Sequence, residues 1–128
     1  LPVGDAKASF IDARDIAAVA AALLQDDRFN SQAFDLTGDA SLTHTEAAAL
    51  ISQATGKTIG FEDITPEAMR TALLQAGLPA AYSEFLLMIL DYLKQGAAER
   101  RTDAVLAITG KTPISFAQYA QDYRQAWL

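Results

Sequence analysis

Thr55-Gly56-Lys57-Thr58 and Thr109-Gly110-Lys111-Thr112 are one tetrapeptide met twice in 128 residues, and the fold depends on whether it is a phosphate loop or a helix end. A phosphate loop needs another glycine five positions before the Gly-Lys-Thr, so that consecutive backbone N–H groups can wrap the anion. Those positions hold Ile51 and Val105. Each copy instead follows an apolar, helix-like run, where glycine's access to positive φ makes it a common terminator. Both copies therefore read as helix stops. A third Thr-Gly, Thr37-Gly38, turns the chain after a strand-like stretch.

Working outward from these stops, Thr43-His44-Thr45-Glu46 is a capping box, and it starts a helix with Ala47, Leu50, Ile51 and Ala54 in one apolar stripe that Gly56 ends. Before it, Asp12 or Asp15 can cap a helix carrying Ile16, Val19, Leu23 and Leu24, ending near Gln25. Thr65-Pro66-Glu67 begins another, with Met69, Leu73 and Ala76 on its buried face. After Gly77-Leu78-Pro79 comes a longer helix, about 81–95, closed by Gly96. Residues 103–109 form a short helix. Ser115-Phe116-Ala117-Gln118 is a second capping box, opening a last helix with Phe116, Tyr119, Ala120, Tyr123 and Trp127 on one side. Three short strands are expected at Ser9-Phe10-Ile11, at 33–37 and at 58–64. The expectation is one α-rich α+β domain over 1–128, with about six helices.

Composition narrows the function. A chain with 51% hydrophobic residues can bury one core, and its charge of −6 opposes binding to nucleic acid or to an anionic membrane. Arg100-Arg101 is the one basic pair, and Glu99 and Asp103 flank it, so it reads as a solvated loop. The absence of cysteine excludes disulfides and thiolate chemistry, and fits a cytoplasmic protein. No run of about 18 apolar residues marks a membrane span. The chain begins Leu-Pro-Val without an initiator methionine, as a piece of something longer would.

Single residues offer no catalytic constellation. His44, the one histidine, sits in a capping box at a helix start and reads as an exposed structural residue. Glu62 and Asp63 would point to opposite faces of a strand, both solvated. Asp12 and Asp15 lie where a strand meets a helix, suited to capping or to lining a cleft. No His/Asp/Glu cluster has metal-ligand spacing. The six-residue apolar run from Phe85 to Leu90 is the least ordinary feature. Phe85, Leu86, Ile89, Leu90 and Leu93 suffice for one core face, which leaves Leu87 and Met88 unassigned. Tyr82, Phe85 and Met88, with Asp12, are the candidate residues of a substrate cleft.

In this order the segments resemble the C-terminal half of NmrA-like proteins, atypical short-chain dehydrogenases/reductases that include NAD(P)H:quinone oxidoreductase-type members. The residues that carry the resemblance are 10–17 (FIDARDIA), 34–38 (FDLTG), Leu42-Thr43 with Glu46-Ala47, 54–57 (ATGK), Pro66-Glu67, Gly77-Leu78-Pro79, Gly96, and 106–113 (LAITGKTP) with Ser115-Phe116. The resemblance implies a Rossmann half N-terminal to this chain that holds the NAD(P)H phosphates, so that no cofactor is held by this chain alone. It implies that this chain is the substrate-binding lobe, closing over the nicotinamide end and over a small apolar acceptor such as a quinone. No tyrosine here heads a Tyr-x-x-x-Lys pair, so the lobe alone is not expected to catalyse hydride transfer. The alternatives are a non-enzymatic NAD(P)-sensing lobe that binds a protein partner, and a free-standing module that forms a homodimer through its apolar helix.

Overall fold

The computed structural model describes residues 1–128. Four of the six helices start at a side chain that accepts from a first-turn N–H. Helix α1 (Ala13–Leu23) is capped by Asp12, whose carboxylate accepts from the Arg14 N–H. A 3₁₀ turn, Asp27–Phe29, follows. Helix α2 (His44–Thr55) carries the full reciprocal capping box between Thr43 and Glu46, and ends at Gly56 in the left-handed conformation (φ 73°). Helix α3 (Pro66–Gln75) has Pro66 in its first turn and Thr65 as cap. Helix α4 spans Ala80–Lys94. Helix α5 (Ala104–Thr109) stops at Gly110 with φ 71°. Both tetrapeptides are thus helix ends. Helix α6 (Phe116–Asp122) runs on into a 3₁₀ turn, Arg124–Trp127. Ser115 caps α6, but the Gln118 side chain turns forward to Asp122 (2.6 Å), so only half of the second capping box forms.

The helices associate in pairs: α1 on α5, α2 on α6, and α3 on α4. The densest core lies in the first pair, where Val19, Ala104, Val105 and Ile108 meet, with Ile11, Leu23, Phe29, Phe34 and Leu36 packed around them. Two antiparallel strands, β1 (Lys7–Ala8) and β2 (Leu42–Thr43), join the starts of the first two pairs.

Two strands replace the three expected, and none of the three falls where the alternation placed it. Ser9–Ile11 continues β1 without a ladder, because Ser9 turns both its N–H (2.9 Å) and its hydroxyl (3.2 Å) to the Ala98 carbonyl. Segment 33–37 runs without a turn or bend, yet no N–H from Ala33 to Gly38 donates to any group of the chain. Residues 100 and 102 hold it: the Arg100 guanidinium pairs with the Asp35 carboxylate (2.7 Å), and Thr102 donates its hydroxyl to the Asp35 carbonyl (2.6 Å) and its N–H to the Thr37 hydroxyl (2.9 Å). In segment 58–64, the Ile59 N–H goes to the Ser52 hydroxyl (2.9 Å) and the Ile64 N–H to the Leu1 carbonyl (3.4 Å). Alternation marks extended chain; a strand also needs a partner of the right register.

Helix α4 corrects a second expectation. Leu87 is its buried apolar residue, together with Ser83, while Tyr82, Phe85, Met88, Ile89 and Tyr92 are exposed. At 100° per residue those five fall in one sector of about 120°, well away from the buried side. Ile16 and Leu24 of the first helical segment also face solvent. No helix is long and apolar enough to cross a membrane.

Candidate functional site

Two concave surfaces carry the candidate residues. The first is an apolar cleft of about 280 Å³ between the start of α1 and α6, lined by Phe10, Ile11, Asp12, Ala13, Ile114, Phe116 and Tyr119. Its walls are fixed by two aspartates. Asp15 is buried and its carboxylate accepts from the Ile114 N–H (2.8 Å). Asp12, also buried, receives Nε (3.0 Å) and Nη2 (2.8 Å) of Arg14, while Nη1 of the same guanidinium reaches Asp122 (2.8 Å). The guanidinium lies over the Tyr123 ring, 5.2 Å from its centroid. The hydrogen bonds from Arg14 hold the Asp12 carboxyl below its usual range against the opposing effect of burial. Asp122 is lowered first by the Gln118 amide and then by Arg14. One arginine fork therefore staples α6 to the start of α1, with the cleft between them.

Rings continue from this cleft. Phe10 meets Phe116 edge-on (5.3 Å between centroids) and His44 edge-on (5.5 Å), and His44 lies against Phe61 (5.2 Å). His44 is therefore half-buried, not exposed, and its Nδ1 is buried without a hydrogen-bond partner. Burial, and secondarily the N-terminal ammonium, push its pKa down from 6.5.

The second surface is a hollow of about 320 Å³ beside α4, lined by Pro2, Pro66, Glu84, Leu87, Met88, Asp91 and Lys94. Behind Pro2, the N-terminal turn is held by Asp63, whose Oδ1 accepts from the N–H groups of Val3 (3.0 Å) and Gly4 (2.8 Å). Asp63 is thus a tether for the N-terminal turn and not simply a solvated side chain. Glu84 is bound by Arg70 (2.6 and 3.2 Å) and Asp91 accepts from the Gln95 amide (2.7 Å).

Of the four residues expected to share a cleft, Asp12 lines the first surface and Met88 the second. Tyr82 and Phe85 stand beside Met88 on the exposed sector of α4, 6.4 Å apart between ring centroids. The structure does not bring Asp12 and the α4 residues together in one cleft. The aromatic cleft residues Phe116 and Tyr119 were legible only as a helix face, and the 113–114 segment that closes the cleft has no signal in sequence. The Lys94 hollow was equally silent.

Neither tetrapeptide suits a dinucleotide's phosphates. The Gly56 N–H donates to the Ser52 carbonyl (2.9 Å) and that of Gly110 to the Leu106 carbonyl (2.8 Å), while the Lys57 and Lys111 N–H groups bond the threonine hydroxyls two residues before them. These are helix C-termini, where the dipole is negative. These two turns therefore do not fit the phosphate end of NAD(P). No group of three or more His, Asp or Glu is placed to hold a metal ion.

Comparison with known proteins agrees with this architecture. The model of the NmrA-like family matches residues 1–111. The uncharacterized oxidoreductase YesF of Bacillus subtilis is 35% identical over 97% of the chain, and the NAD(P)H azoreductase of Xenophilus azovorans is 32% identical over 99%. The chain spans only 43% and 44% of those two proteins. Among solved structures, Citrobacter sp. triphenylmethane reductase superposes over 97% of the chain with a TM-score of 0.81 at 19% identity, covering 43% of that protein. An NADPH-dependent quinone oxidoreductase from Escherichia coli does so over 94%, also at 0.81, with 22% identity and 44% of its own length covered. At these identities the structures speak for the fold.

Proposed function

The chain belongs to the NmrA-like family, and from that premise we propose that it is the acceptor-binding lobe of an NAD(P)H-dependent oxidoreductase that reduces a quinone or a similar small carbonyl compound. The observation that carries this reading is the exposed apolar sector of α4. Tyr82, Phe85, Met88, Ile89 and Tyr92 present five large apolar side chains to solvent on one helix, 43% to 67% exposed. Such a face asks for cover. Beside it lies a hollow of about 320 Å³, within the usual size of small-molecule sites. Pro2 lines that hollow with Met88, so a segment joined ahead of Leu1 would enter at the acceptor wall, and small-molecule sites favour such junctions between domains.

In this reading the cofactor phosphates are held by a Rossmann half outside these 128 residues. The unpaired N–H groups of segment 33–38 support that partnership, since they offer one side of an extended segment to a sheet edge. Similarity to the NAD(P)H azoreductase of Xenophilus azovorans favours reductase chemistry.

The test is kinetic and uses the protein that carries this chain. Phe85→Ala and Met88→Ala should raise KM for a naphthoquinone about tenfold while the NAD(P)H dissociation constant stays fixed. Unchanged KM in both variants would falsify the acceptor wall. Tight cofactor binding without turnover of any acceptor would instead favour a redox sensor.

A further inference from the structure

We infer that the acceptor carries a short apolar tail that lies along α4, an inference that rests on the acceptor wall placed on that helix. The helix separates its polar from its apolar groups. All three of its charged residues, Glu84, Asp91 and Lys94, line the hollow. Of its five exposed large apolar residues only Met88 does so, while Tyr82, Phe85, Ile89 and Tyr92 stand outside it. Met88 is therefore where a polar concavity meets an uncharged helix face, and an occupant matched to both has a polar head and an apolar extension.

The face is furrowed. Residues three apart on a helix are neighbours, so Tyr82, Phe85 and Met88 form one row, and Leu86, Ile89 and Tyr92 a parallel row, with a groove between them. The Tyr82 and Phe85 rings keep to their row, 6.4 Å apart between centroids and tilted by 31°. At about 5–6 Å per step, the groove runs about 10–12 Å from Met88 to Tyr82. A quinone ring seated at Met88 and Phe85 takes about half of that length, and the step from Phe85 to Tyr82 leaves room for a tail of about four carbons. The groove then stops: the helix begins at Ala80 on one side of the row, and Asp91 follows Met88 on the other. A ring alone would leave Tyr82 and Ile89 in water, whereas a ring with a tail covers them. A helix of a second copy would cover the rows as well, and dependence on tail length separates the two.

The experiment uses the protein that carries this chain and measures binding, without turnover, of three probes: 2-methyl-1,4-naphthoquinone with hydrogen, butyl or octyl at the neighbouring ring carbon. Butyl should tighten binding about tenfold over hydrogen, and octyl little more than butyl. Tyr82→Ala should cut the butyl-to-hydrogen ratio to about two, because it removes the far end of the groove. Met88→Ala should weaken all three probes together. Equal affinity for the three probes, or a butyl gain that survives both Tyr82→Ala and Ile89→Ala, overturns the tail, and the wall stands if Met88→Ala still weakens all three. If Phe85→Ala and Met88→Ala alter none of them, the wall falls and the tail falls with it. A dimer in sedimentation that Tyr82→Glu dissolves gives the rows to a second copy and overturns the tail as well.

Discussion

Gly38 has no room for a side chain, although its backbone needs no positive φ: a Cβ built on it would lie 1.8 Å from the carbonyl oxygen of Phe10. Because backbone meets backbone there, nothing flexible can give way. Gly38→Ala should lower stability by about 3 kcal/mol or more in urea unfolding, as forced overpacking does at its upper end. His44 gives a pH signature at the same scale. Its folded pKa is lowered, so the unfolded chain binds the extra proton first, and stability is complete above about 6.5 and falls as pH drops from there through the lowered folded value. His44→Phe, which keeps a ring between Phe10 and Phe61, should flatten the profile between pH 7 and 5 in thermal melts. Individual residues were legible in the sequence when their role was local. Asp12 as a cap and Thr43 with Glu46 as a box need only their own neighbours. Asp15, Asp63 and His44 were misjudged or left open because their partners, Ile114, the N-terminal turn and two phenylalanines, lie far along the chain.

At the scale of elements, α4 separates stability from binding. Leu87→Ala removes a buried side chain and should cost about 2–4 kcal/mol, whereas Phe85→Ala and Tyr92→Ala should stay within about 0.5 kcal/mol. Equal losses from Leu87→Ala and Phe85→Ala in denaturant titrations would contradict the burial assigned to the two faces. A charge at position 87 would unfold the helix pair, so oligomeric state is better probed by Met88→Glu. Thr43→Ala should cost about 1 kcal/mol through the lost cap. All six helices could be read from caps and glycine stops, because those signals are written within four residues. Which face of α4 is buried could not, since apolar residues occupy both of its sides. The strands failed for a related reason: segment 33–37 has the right alternation, but its N–H groups find no partner within the chain.

As a whole molecule the lobe exposes 8117 Å², against about 6,600 Å² for a compact monomer of 13.7 kDa. The excess, about 1,500 Å², comfortably covers one side of a standard protein interface, near 800 Å². The amides of residues 33–38 should exchange within the unprotected range in this chain alone, and some should become protected once a sheet edge pairs with them. Uniformly fast exchange in the longer protein would count against that pairing. The bond from the Ile114 N–H to Asp15 spans 99 residues of sequence, and the ion pair of Arg14 with Asp122 spans more. On a ribosome adding about 5–20 residues per second, the first helix must wait about 5–20 s for the segment that closes against it. During that interval Val19 has no α5 to cover it. The closure of α1 against α5 and α6 is therefore a late step, and truncation before Ile114 should leave the buried Asp15 carboxylate without its N–H partner and lower stability in urea unfolding.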